Sequence, residues 1–177
     1  MMTEKIEPIY STDIPSPLGM LTLASDGSSL AGLWFEGQKH FGGTFARSFI
    51  KRDALPVFRA AELWLNEYFS GGKPDPASLP LVLYGTEFQK KVWRLLGKIP
   101  YGQTVTYGWL AEQVSVETGT APCARAVGGA VGRNPVSIIL PCHRVMGVNG
   151  AMTGFAAGIE KKQYLLSLEN ILDKSAR

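Results

Sequence analysis

Over its first third the chain sets short apolar runs between polar, glycine-bearing breaks, the layout expected of hairpin strands. Residues 18–24 and 30–35 flank Ser25-Asp-Gly-Ser-Ser29, and Asp26-Gly27 between two such runs predicts a tight β-hairpin. Residues 9–14 offer a further strand. The rhythm then changes. Phe58, Ala61, Leu65, Tyr68 and Phe69 recur at helical spacing behind Pro56, which predicts an amphipathic helix over 57–69. A second helical pattern over 41–50 begins on Gly42-Gly43, which weakens its start. Residues 70–80, rich in glycine and proline, permit neither a helix nor a central strand. They place a domain boundary, giving domains 1–80 and 81–177, with residues 81–84 as one last strand.

Beyond the boundary the pattern is helical. Thr86-Glu-Phe-Gln89 has the form of a capping box, in which the threonine oxygen and the glutamine side chain satisfy free amides at a helix start. Phe88, Val92, Leu95, Leu96 and Ile99 then form one apolar face, and Gly97 with Pro100 ends the helix. Thr106 is placed to cap a helix through Val114, residues 115–120 break it, and Thr120-Ala-Pro122 starts another that runs to Gly132. Two short helices with a glycine-bearing turn fit a helix-turn-helix. The second is built from Ala124, Ala126, Gly128, Gly129, Ala130 and Gly132, and each glycine costs about 1 kcal/mol of helix stability against alanine. So bare a surface suits either tight packing on another helix or close approach to a partner. Arg125, a long cation among small residues, favours DNA as that partner. A final helix over 159–172 turns Leu165, Leu168, Ile171 and Leu172 to the core, and its Glu169 reads from pattern alone as a surface carboxylate.

Composition narrows the class. The 177 residues, 45% hydrophobic and 19% charged, describe a folded protein with a real core and not a disordered tail. No apolar run approaches the ~20 residues needed to cross a membrane, and the N-terminus has no apolar signal core, so a cytoplasmic address is expected. Residues 1–85 hold seven Lys/Arg and nine Asp/Glu, a net −2, whereas residues 86–177 hold eleven and six, a net +5. The positive excess lies in the helical half, mild support for a polyanionic partner. Two cysteines, Cys123 and Cys142, are too few for a disulfide scaffold, and with His40 and His143 they form no zinc pattern. Cys123 reads as an ordinary helix residue.

Chemistry concentrates in Asn134-Pro-Val-Ser-Ile-Ile-Leu-Pro-Cys-His-Arg-Val145. Residues 136–140 read as a buried strand that Pro141 stops, since proline has no amide hydrogen for a ladder. Cys142 then leaves the strand at a fixed point with His143 and Arg144 directly after it. A thiol beside an imidazole and a guanidinium has the electropositive setting that favours the nucleophilic thiolate. A lone free cysteine is also commonly a small core hydrophobe, and Cys-His by itself leaves both readings open.

The longer string, Pro141-Cys-His-Arg-Val145 preceded by Asn134-Pro135 and followed by Gly150-Ala-Met-Thr-Gly-Phe-Ala-Ala-Gly158, resembles the O-6-alkylguanine-DNA alkyltransferases, also called methylated-DNA–protein-cysteine methyltransferases. The likeness is specific from about residue 85 onward and looser before it. It implies an α+β protein with a ribonuclease-H-like N-terminal α/β domain and a mainly helical, winged-helix-like C-terminal domain. It further implies irreversible, single-turnover transfer of an alkyl group from O-6-alkylguanine to Cys142 after base flipping, with O-4-alkylthymine an open second substrate. In this resemblance His143 is the base, Glu169 orients it from a buried position, Asn134 braces the turn before the nucleophile, and Tyr107 helps rotate the nucleotide and protonates the leaving guanine. Arg125 enters the vacated stack from a helix lying in the minor groove, flanked by Ala124, Ala126, Gly128 and Gly129. Val145, Met152, Thr153, Phe155 and Ala156 line the substrate pocket, with backbone groups near Cys142 and Val145 reading the guanine edge. Phe155 stands where many members have tyrosine and Ala156 where others have serine or glycine, and the turn from Val116 to Pro122 is longer than usual. Some members hold a zinc in the N-terminal domain, but no cysteine precedes Cys123 here, so no metal and no cofactor are expected. The implied partner is double-stranded DNA bearing alkylated guanine, met by a monomer. Two other classes stand beside this one: a non-catalytic damage sensor, which would lack the nucleophile, and a cysteine hydrolase, which would turn over repeatedly.

Overall fold

The computed structural model describes residues 8–45 and 49–172. Strand β1 (Ile9–Ser16) pairs antiparallel with β2 (Gly19–Ser25), which pairs antiparallel with β3 (Leu30–Phe35) across the Asp26-Gly27 turn. The turn is fixed locally: Asp26 Oδ1 accepts the amides of Ser28 and Ser29, and Gly27 takes φ +111°, open to glycine at little cost. A short β4 (Phe49–Lys51) lies parallel to β1 and completes the order β3-β2-β1-β4. Helix α1 (Pro56–Phe69) buries Val57, Phe58, Ala61, Trp64, Leu65 and Tyr68 against this sheet.

Two expectations fail here. The helical pattern over 41–50 is a 3-10 turn at Gly43–Phe45 and the strand β4, residues 46–48 lying outside the described set. Gly42 and Gly43 take φ +76° and +51°, which a right-handed helix cannot accommodate. Phe41, Phe45 and Phe49 owe their four-residue spacing to packing around Trp34 and its neighbours on the second face of the sheet. Residues 81–84 form no strand but a single bridge, Leu30 to Leu81. The outer edge of β3 is divided between that bridge and a second one, Leu33 to Val136, so neither segment gains a full ladder.

Helix α2 (Glu87–Leu96) starts on the expected capping box, with Gln89 N donating to Thr86 Oγ1 and Thr86 N to Gln89 Oε1. Such a cap is worth about 1 kcal/mol, the expected loss for Thr86→Ala. Strand β5 (Val105–Thr106) leads into α3 (Tyr107–Thr118), capped by Thr106 Oγ1. Residues 115–118 do not break this helix; it ends at Gly119, where φ is +72°. Helix α4 (Ala124–Gly132) packs on α2 and α3 through Val127, Ala130 and Val131. Pro122 precedes it and does not occupy its first turn. Exposed Cys123 is its N-cap, the sulfur accepting the Ala126 amide at 3.4 Å, so it is a capping residue and not an interior helix residue. Strand β6 (Val145–Met146) pairs parallel with β5, and α5 (Ile159–Leu168) closes the chain. Helix α5 stops short of 172 because Asn170 takes φ +61°. Leu165 is buried and Leu168, Ile171 and Leu172 are half-buried. The architecture is α+β, a sheet unit followed by a helical unit, and one apolar core runs through both. Among the described residues no helix is long and apolar enough to cross a membrane.

Candidate active site

The run before the cysteine is buried as expected, but it is not a strand. Residues 136–140 fold into a turn, with Leu140 N donating to Val136 O at 3.0 Å and the β-branched Ile138 at φ +71°. That conformation stores strain of about 1–3 kcal/mol and persists only where surroundings enforce it. Asn134 enforces it. Its Nδ2 donates to Leu140 O at 2.7 Å and its Oδ1 accepts Val136 N at 3.1 Å, so one side chain spans the loop. β3 pins the same segment, Leu33 N donating to Pro135 O and Ser137 N to Leu33 O. The turn hands the chain through Pro141 to a 3-10 turn, Cys142–Arg144, whose three side chains are buried.

Those three side chains diverge. The sulfur of Cys142, 6% exposed, lies in a small cleft with Tyr107, Gly128, Val131, Gly132, Asn134, Ser137 and the 154–156 segment. Burial raises its thiol pKa; the contact with Asn134 and the positive charge of Lys162 act against that. Fully buried His143 points its Nε2 to Glu169 Oε1 at 2.7 Å, and its Nδ1 has no protein partner. Burial lowers the imidazole pKa and the Glu169 carboxylate partly restores it. The ring is therefore neutral and able to accept a proton at neutral pH.

Arg144 does not stand beside the thiol as its place in the string suggests. Its Nε and Nη2 grip Glu169 at 2.8 and 2.9 Å, its Nη1 donates to Ile99 O at 2.7 Å, and the guanidinium lies over the Tyr101 ring. Glu169 is 2% exposed, so its reading as a surface carboxylate is overturned. Burial alone would raise its pKa, but the hydrogen bonds and charges of His143 and Arg144 prevail and hold it at about 2. The cation that acts on Cys142 is Lys162, fully buried on α5, which donates to Val145 O at 2.6 Å and Thr153 O at 3.3 Å. The sequence reading missed it, although Lys162 sits one turn before Leu165 and so shares the buried face of α5. It also missed Tyr68 of α1, whose hydroxyl donates to Glu169 Oε1 at 2.7 Å. The available signal was a tyrosine within an apolar stripe, since a buried phenol needs a partner.

The remaining expected residues divide. Tyr107, Phe155 and Ala156 line the cleft with Cys142, whereas Val145, Met152 and Thr153 do not. Val145 is fully buried with its carbonyl engaged by Lys162, and Thr153 touches the site through its hydroxyl, which donates to Tyr107 Oη at 3.4 Å. Arg125, Ala124, Ala126 and Gly129 are exposed on α4, and Gly128 is half-buried at the cleft. A Cβ added at Gly128, Gly129 or Gly132 would meet nothing within 4 Å. Tight helix packing therefore does not explain the glycines; the bare surface faces outward. Among the described residues no group of three or more His, Cys, Asp or Glu side chains is placed to hold a metal ion.

Comparison with known proteins agrees with this arrangement. Residues 9–83 match the family model described as 6-O-methylguanine DNA methyltransferase, ribonuclease-like domain, and residues 87–171 match the DNA binding domain of the same family. A methylated-DNA–protein-cysteine methyltransferase of Haemophilus influenzae is 42% identical over 92% of this chain and 87% of its own length. One from Methanosarcina acetivorans is 41% identical over 91% and 98%. The crystal structure of Mycobacterium tuberculosis OGT in complex with DNA superposes with a TM-score of 0.76 at 42% identity, covering 90% of this chain and 92% of that one. With both halves matched in order and full-length relatives above two-fifths identity, the chain belongs to the 6-O-methylguanine DNA methyltransferase family.

Proposed function

We propose that this protein repairs DNA by direct reversal, taking a methyl or other alkyl group from O-6-alkylguanine onto Cys142 and keeping it. The observation that carries the reading is a shared cleft. Gly128, Val131 and Gly132 of the bare helix α4 wall it, and Cys142 lies within it. A helix that lies close to DNA thus borders the pocket that a rotated base would enter. The alkyl carbon of O-6-alkylguanine cannot be reached inside the stack, so the nucleotide is flipped out, with Arg125 filling its place. The +5 balance of residues 86–177 supports a DNA partner.

The neutral imidazole of His143 accepts the thiol proton through a water, and Glu169 offsets the imidazolium charge. The sulfur electron pair forms the C–S bond, the C–O bond breaks, and its pair passes to the guanine. Tyr107 gives the guanine a proton and recovers one from solvent. Asn134 holds the loop that presents the sulfur. A thioether has no good leaving group, so the protein acts once, as a monomer. The same reading divides the chain into residues 1–80 and 81–177; the two family matches, 9–83 and 87–171, support two domains in this order with the join at residues 84–86.

Incubation with a duplex carrying O-6-methylguanine, followed by mass measurement, tests the proposal. One methyl group per protein, on Cys142, is expected, and Cys142→Ser should bind the duplex without reacting. Repeated turnover, as from a cysteine hydrolase, or label on Cys123 overturns it. A duplex carrying O-4-methylthymine assayed in parallel fixes the substrate range.

A further inference from the structure

Glu169 holds more donors than the orientation of one imidazole requires. Oε1 receives His143 Nε2 and the Tyr68 hydroxyl, each at 2.7 Å, and Arg144 Nη2 at 2.9 Å; Oε2 receives Arg144 Nε at 2.8 Å and the Gly102 amide at 3.2 Å. Tyr68 is the outlier by origin. It comes from α1, 101 residues earlier in the chain, in the half that otherwise contributes no chemistry. It is 1% exposed, stacked on Trp64 at 5.7 Å and edge-on to Phe69 and Tyr101, so its ring is held and its hydroxyl has a fixed aim. That hydroxyl also lies 3.4 Å from His143 Nε2. Phenol and imidazole therefore compete for the same carboxylate oxygen.

We propose that Tyr68 is a positioning residue of the alkyl-transfer site: by donating to Glu169 Oε1 it sets how strongly that carboxylate holds a proton on His143. The inference rests on His143 as the base in the reading above. Charge on Oε1 that is drawn toward the phenol is unavailable to the imidazolium, so the hydroxyl keeps His143 a weaker base than a bare carboxylate partner would make it. Burial, and then the Glu169 charge, push the Tyr68 pKa far above the usual phenol range, so the donor stays neutral and does not switch off. The other charged or titratable groups around the pair are Arg144, Lys162, Tyr101 and the Cys142 thiol, and Tyr68→Phe adds or removes no charge among them. The arrangement makes a sheet-unit helix part of the proton-accepting machinery, which ties the tuning of the site to the docking of the two units.

Tyr68→Phe keeps the ring and removes the hydroxyl. Freed of its competitor, Glu169 holds the His143 proton more tightly, so the imidazole pKa rises and the acid limb of the single-turnover rate against pH moves to higher pH. Above that limb the plateau rate does not fall, because the base that remains is the stronger one. Replacement of Tyr68 by 3-fluorotyrosine, a stronger donor of nearly the same shape, moves the limb the opposite way and covers the case of a poorly folding phenylalanine variant. In a Glu169→Gln background Tyr68→Phe adds no further shift. The chain has two histidines, His40 and His143, so nuclear magnetic resonance titration of the imidazoles reads the same shift without any DNA. A His143 titration and an acid limb unmoved in both Tyr68 variants, with folding intact, refute the inference. Failure of the parent to place methyl on Cys142 refutes the functional reading instead, and the imidazole titration still decides the role of Tyr68.

Discussion

Asn134→Ala tests the link between the loop and the nucleophile, and its cost can be worked from the hydrogen bonds. Oδ1 is the acceptor that Val136 N reaches, at 3.1 Å within a buried segment. Removing it leaves a buried amide unpaired, about 1–3 kcal/mol. Leu140 O loses Nδ2 but still accepts Cys142 N at 2.8 Å, so that loss is the net worth of one bond, about 0.5–1.5 kcal/mol. The sum is about 1.5–4.5 kcal/mol, a large share of an ordinary domain's stability but not enough to unfold it. Urea unfolding followed by tryptophan fluorescence measures it, and the midpoint should fall with the slope unchanged. Ile138 then loses one of the clamps on its positive φ, the β3 bonds remaining, and the thiol loses the Asn134 contact that opposes its burial. The Cys142 pKa should rise and alkyl transfer should slow. Asn134→Asp separates the two effects. It keeps an acceptor for Val136 N but loses the donor to Leu140 O and buries a negative charge beside the thiol, so it should slow transfer more than alanine while sparing no stability. A cost below about 1 kcal/mol for alanine, or transfer in the aspartate variant as fast as in the parent, would refute the brace.

Three further outcomes follow from the same geometry. The parent's transfer rate should fall on acidification only beneath the ordinary imidazole range, because burial holds the His143 pKa down, and His143→Ala should be slower by about 100- to 10,000-fold and regain more rate than the parent as pH rises; stopped single turnovers across pH measure both. Lys162→Met removes a buried ammonium and its hold on Val145 O and Thr153 O, so the iodoacetamide titration of Cys142 should shift to higher pH, and the loss of those two bonds should cost about 1–3 kcal/mol of stability. Arg125→Ala should slow repair of duplex far more than reaction with the free modified base, and equal losses on both substrates would assign Arg125 to folding or chemistry.

What the sequence determined by itself is local. The Asp26-Gly27 hairpin, the Thr86–Gln89 capping box, the Thr106 cap and the apolar stripes of α1 and α2 depend on neighbours a few residues apart, and the structure keeps them. The motif around Cys142 was legible for the same reason, being contiguous. What only tertiary structure decided is where distant groups converge. Phe41, Phe45 and Phe49 mimic a helix because Trp34 gathers them, and residues 136–140 look like a strand because burial on all sides, not pairing, makes them apolar. Arg144 adjoins Cys142 in sequence yet turns to Glu169, since a buried guanidinium must find a carboxylate. Lys162 and Tyr68 carry no motif at all. Their roles arise from burial, which forces an ammonium onto two carbonyls and a phenol onto a carboxylate, and burial is set by the packing of the whole chain.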